Sequence, residues 1–249
     1  MFTDGEWPSG REGELSASEL GSDVIKPAGL RRRKEPPAFI LPPPLDGDWA
    51  ELPEETTALL AERMYDFGRI KRTTRVQRAR AMVLPFYAEQ LLVDLQVADR
   101  RGPPRLMCCL YGANGVVVLD GNSTVIHNQN ANQPFDISDT ETREAYLKFF
   151  CYFVHGEQGP FEIIEDPSDL EGATAGERVL PTVIEKGAED APDTWAATVL
   201  YGSTLFRARF EIEDTGMIDM ISDEELAEEI LRAPLILFNG ASRVPGGER

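Results

Sequence analysis

The chain has 249 residues, 43 of them acidic and 25 basic, and a net charge of −18. That length suits one large domain or two small ones, either able to bury a full core. The densest apolar cluster, residues 149–154, falls far short of the roughly 20 residues of a bilayer-crossing helix, so no membrane partner is expected. Three cysteines, two of them adjacent, make no disulfide framework, and Asp4, Glu6, Glu12 and Glu14 are foreign to a secretory signal. A reducing, cytoplasmic location is therefore expected. Arginine outnumbers lysine 20 to 5, a bias typical of a GC-rich and bacterial genome.

Gly, Ser, Glu and Pro dominate residues 1–50, which predicts a disordered arm. Its one order-promoting cluster, Phe39, Ile40 and Leu41, is flanked by prolines that favour extended geometry. The arm reads first as a tether. Its sharper reading is that Phe39 and Ile40 anchor it on the domain or on a partner, with Arg31–Lys34 as a basic flank.

Leu59, Leu60, Met64 and Phe67 recur at helical spacing between Pro53 and Gly68, predicting a helix there. Arg69, Lys71, Arg72, Arg75, Arg78 and Arg80 follow in twelve residues without an acid. On a helix, Arg72, Arg75 and Arg78 would share one stripe able to hold successive phosphates. The chain is acidic overall, and no aromatics interleave the run for base stacking. Residues 151–249 carry −14 of the net charge, so pairing with that acidic C-terminal half or with a protein partner is the first reading, and nucleic acid the alternative.

Beyond Pro85, Leu91, Val93, Leu95 and Val97 alternate with other residues, the pattern of a half-buried strand. Strands at 106–111 and 116–119 and a hairpin at Asp120-Gly121 leading to 124–127 complete a meander. Residues 127–133 are dense in amides and read as an ordinary polar loop before a ligand loop. Ser138 and Glu141 form a capping box for a helix over 139–155, apolar on nearly every side and so buried. Cys151 and His155 are four apart on it, the spacing of a thiol–imidazole or metal pair, and His127 is the one other histidine. A packed core cysteine is the first reading of Cys151, because apolar burial makes a thiol inert. No metal or cofactor is expected.

The rest of the chain predicts a strand over 161–164, an acidic loop over 165–193, and a second meander of 195–201, 205–212 and 217–221. Ser222 and Glu225 suggest another capping box, for a helix over 222–232. Residues 235–238 read as a buried strand or docking segment, and 241–249 as a loose tail. Glu224, Glu225, Glu228 and Glu229 belong to an acidic surface that is either a solvated face or an interface for a basic partner.

Together these elements predict an α+β domain over 51–240, as one unit or as two meander-plus-helix halves (51–156 and 157–240). It consists mainly of antiparallel meanders packed around a central buried aromatic helix, with a disordered N-terminal arm. Neither a phosphate-binding glycine loop nor a nucleophile elbow occurs. The expected function is non-enzymatic: binding another protein through charged surfaces and apolar anchors. Nucleic-acid binding through 69–80 is the alternative, and a thiol–histidine enzyme or metal protein the third.

Overall fold

The computed structural model describes residues 38–171, 178–186 and 193–246. Residues 1–37, and with them most of the expected arm, lie outside the described residues, and the folded unit begins at Phe39. It opens with strand β1 (Ala50–Glu51), helix α1 (Glu54–Asp66) and strands β2 (Thr74–Val83), β3 (Gln90–Asp99), β4 (Arg105–Gly112) and β5 (Gly115–Val118). Helices α2 (Ser123–Asn132) and α3 (Thr140–Phe153) follow. Short strands β6 (His155–Gly156), β7 (Gly159–Pro160), β8 (Glu162–Ile163), β9 (Leu170–Glu171) and β10 (Val183–Glu185) lead on. Then come the long strands β11 (Thr194–Tyr201), β12 (Thr204–Ile212) and β13 (Ile218–Ala227), and short β14 (Leu231–Arg232), β15 (Ile236–Asn239) and β16 (Ser242–Pro245).

The two meanders form two antiparallel sheets. The first runs β1-β2-β3-β4-β16-β15, with β5 also on β4, and the second runs β10-β11-β12-β13, with β8 also on β11. One edge of β4 serves two partners: Cys109 to Gly112 pair with β5, while Leu106 and Met107 pair with β16. Two small ribbons, β6–β7 and β9–β14, lie outside these sheets.

The central helix is α3. Asp139, one residue later than the predicted cap, accepts from the Thr142 amide at 2.9 Å. Tyr146, Leu147 and Phe149 are fully buried in a core shared with Leu92, Cys108 and Leu110 of the first sheet and Trp195, Ala197, Val199, Ala208 and Phe210 of the second. Burying each such large apolar side chain contributes about 1.5–3 kcal/mol. A second core lies on the other face of the first sheet, where Leu60 and Met64 of α1 meet Ala79, Ala81, Val93, Leu95 and Val97. Strand β3 is therefore covered on both faces, not half-buried, and its Asp94 and Gln96 are buried with the rest.

Five further segments depart from expectation. The predicted strand at 124–127 and the amide loop are helix α2, capped by Asn122, whose side chain accepts from the Thr124 amide at 2.9 Å. The cap competes with the Asp120-Gly121 hairpin signal, and only Ile126 needs burial, so strand alternation has nothing to satisfy.

The predicted helix at 222–232 is instead the continuation of β13 along β12, with Ser222 opposite Arg209 and Glu224 opposite Arg207. Opposite charges across a pair favour that arrangement. Register shifts admit Ile221 and Leu226 as extra residues, which hides the period-two pattern and imitates helical spacing. The expected tail contributes β16, and residues 39–49 of the expected arm pack on the first sheet, where Leu41 is buried. The acidic loop contains β9 and β10, although residues 172–177 and 187–192 lie outside the described residues.

Candidate functional site

The basic run does not form a helical stripe, because its second half is strand β2, hydrogen-bonded to β1 and β3. Strand geometry sends its cations to different places. Arg80 turns inward, where its Nη2 and Nε lie 2.6 and 2.9 Å from Asp94 Oδ2. Arg243 of β16 reaches the other oxygen of the same carboxylate at 2.8 Å and donates to the Tyr152 hydroxyl at 3.1 Å. Cys108 points its thiol at Asp94 Oδ1, 3.4 Å away. A fully buried carboxylate thus holds two buried guanidinium groups from strands far apart in sequence. Buried ions persist only when paired and hydrogen-bonded in this way.

Residues 39–49 close this cluster from outside. The Phe39 ring lies 4.3 Å from the Arg80 guanidinium carbon and 4.8 Å from that of Arg78, and Trp49 lies 5.6 Å from Arg80. Such ring faces attract cations electrostatically. Arg80 also donates to the Leu41 carbonyl at 3.1 Å, and the Ile40 amide donates to Gln96 Oε1 at 3.0 Å. Phe39 and Ile40, read as anchors on the domain or on a partner, thus make their contacts on the domain.

Arg78 pairs with Glu51 at 2.5 Å, Arg72 with Glu62 and Asp66 at 3.3 and 3.1 Å, and Arg69 donates to the Val116 carbonyl at 3.2 Å. Among the described residues, the carboxylates in these ion pairs come from α1, β1 and β3. Lys71 and Arg75 remain exposed.

Cys151 and His155 part company because α3 ends at Phe153, and His155 continues as strand β6 with its amide bonded to the Gly121 carbonyl. Its ring packs edge-on against Phe238, while His127, on α2, sits against Phe150. Burial pushes the Cys151 and Cys109 thiols up to about 12, and that of Cys108 well above its ordinary value. Such thiols are poor nucleophiles at neutral pH. Among the described residues, no group of three or more His, Cys, Asp or Glu is placed to hold a metal ion.

The amides of α2 are engaged structurally. Asn130 accepts from the Tyr87 hydroxyl and donates to the Tyr146 hydroxyl at 2.8 Å. Tyr146 in turn donates to the Gly216 carbonyl at 2.7 Å. This chain ties α2 and α3 to the turn between β12 and β13. Two hollows accompany these groups: about 10 Å³ beside Cys108, Tyr152 and Arg243, and about 190 Å³ beside Asp139, Arg143 and Trp195. Both are smaller than the roughly 300 Å³ of an ordinary small-molecule site.

The acidic residues fare differently. Strand β13 has β12 on one side and, among the described residues, no strand on the other. Residues 219–225 are all exposed, as are Glu228 and Glu229. Glu224 faces Arg207 and feels the charge of Arg209. Asp219, Asp223, Glu225, Glu228 and Glu229 form no ion pair within 4 Å among the described residues. Sequence reasoning found these carboxylates but put all except Asp219 on a helix, and nothing local in the sequence marks the strand edge on or beside which they lie.

Among the described residues no helix is long and apolar enough to cross a membrane. Comparison of the chain with protein-family models, with curated proteins and with solved structures yields no match.

Proposed function

We propose that this chain is a cytoplasmic protein-interaction module that recruits a basic protein partner through the acidic edge of its second sheet, by binding alone. The observation that carries this reading is the contrast in availability between its two charged runs. Arg69, Arg72, Arg78 and Arg80 already have partners inside the fold. The carboxylates of β13 and the residues after it are exposed on one rim. A concentrated rim of one sign raises the encounter rate of an oppositely charged partner and repels acidic competitors. The three free, buried cysteines fit a reducing compartment.

The test compares purification of the wild-type chain from nuclease-treated native lysate with that of a variant carrying Asp219→Asn, Asp223→Asn, Glu224→Gln and Glu225→Gln. The expected result is a stoichiometric basic companion that salt elutes from the wild type and that the variant loses at unchanged thermal stability. A companion held equally by both, or none on either, contradicts the proposal.

A further inference from the structure

We infer that the partner segment binds by strand addition along the outer edge of β13, which no strand among the described residues covers, as an extended segment that is apolar at one end and cationic at the other. This rests on the proposed role of the acidic edge and specifies how that edge is used. The strand has ten residues, about 34 Å of chain, where the usual strand has about five or six. An edge strand presents a row of unpaired N–H and C=O groups, and an extended peptide completes them with main-chain hydrogen bonds.

Its side chains divide the edge in two. Met217 just before the strand, with Met220 and Ile221 in its first half, are 41, 47 and 51% exposed and form an apolar group at that end. Beyond them lie Asp223, Glu224 and Glu225 on the strand, with Glu228 and Glu229 just after its end.

The register narrows the ligand further. Residues 222–225 pair with β12 without interruption between the extra residues Ile221 and Leu226. Within that stretch Asp223 and Glu225 lie opposite Ala208 and Phe206 on one face, and Glu224 lies opposite Arg207 on the other. Carboxylates therefore project from both faces of the edge. A complementary strand carries cations at successive positions, not alternate ones, beside its apolar end. A second copy of this chain is the wrong occupant, since pairing two such edges would set two rows of carboxylates within one Debye length.

The experiment uses the full chain and a fluorescent synthetic peptide of about ten residues, valine and threonine at one end and four consecutive arginines at the other. Two derivatives carry backbone N-methyl groups at alternate positions, in opposite registers. In strand addition, every second amide of the peptide faces β13. One derivative is expected to lose about tenfold or more in affinity while the other stays within about twofold of the parent. Equal affinities for all three peptides overturn strand addition and leave a side-chain contact with the acidic edge, so the broader reading survives. No binding of the parent peptide overturns the inference. Failure to capture a lysate companion as well removes the broader reading too. A concentration-dependent dimer that the peptide dissociates would make a second copy the occupant and overturn the inference.

Discussion

Six cations crowd residues 69–80, and six carboxylates crowd residues 219–229. In the sequence the two runs are mirror images, and each suggests a surface for the opposite charge. What separates them is position in a sheet. Strand β2 lies between β1 and β3, with α1 against it and residues 39–49 over Arg78 and Arg80, so two of its arginines had to be neutralised within the fold. Strand β13 is an edge among the described residues, and water solvates its exposed carboxylates at little cost. The partners that neutralise β2 are distant in sequence: Glu51 lies 27 residues before Arg78, and Asp94 lies 14 after Arg80. Availability of a charged run is thus a property of topology.

The sharpest way to break this comparison is to remove the buried carboxylate. Asp94→Ala leaves two buried guanidinium groups uncompensated and is expected to cost about 3–5 kcal/mol in urea unfolding. A loss under about 1 kcal/mol would mean that the cluster is not what holds Arg80 and Arg243 inside.

The support beneath the acidic edge comes next. Gly216 has φ of +78°, and an added Cβ would meet the Asn130 amide and the Tyr146 hydroxyl. Gly216→Ala is expected to cost about 1–3 kcal/mol by the same measurement, through backbone strain and a displaced hydrogen bond.

A smaller effect concerns pH. Burial lowers the pKa of His155, with the Asp120 charge opposing. The unfolded chain therefore holds that proton more tightly, and the stability His155 contributes is complete above its ordinary pKa of about 6.5 and declines as pH falls through and below it. His155→Gln is expected to flatten the fall in stability between about pH 7 and pH 5.

Least of all, neutralising Asp223, Glu224 and Glu225 together is expected to change stability by no more than about 0.5 kcal/mol, because exposed charges contribute little to folding. A larger loss would show that β13 needs its carboxylates for its own structure.

The elements that could be read from the sequence are those whose signal is local. The apolar spacing of α1, the aromatic stripe of α3 and the alternation in β12 each announce one element without reference to another. The missed elements depend on distant pairing. Ser242 pairs with Met107, and residues 39–41 owe their order to Arg78, Arg80 and Gln96. The two bulges of β13 erased its alternation, and Ser222 with Glu225 then imitated a helix cap.

Asp94 was visible as a lone acid in the apolar run 91–97. Its alternation with Leu91, Val93, Leu95 and Val97 points to the solvent side of a half-buried strand, because nothing local reveals that both faces of β3 are covered. The acids of the candidate site were readable as residues, but the free edge that gives them a use was not.

The most direct test of the account is a fluorescence-anisotropy titration of the full chain with two labelled probes, an arginine-rich peptide and a single-stranded oligonucleotide, at several salt concentrations. The account predicts that the peptide binds with an affinity that falls as salt rises and that is lost on neutralising Asp223, Glu224 and Glu225, while the oligonucleotide does not bind. Salt-dependent binding of the oligonucleotide that disappears with Arg69→Gln, Lys71→Gln, Arg72→Gln and Arg75→Gln would contradict it.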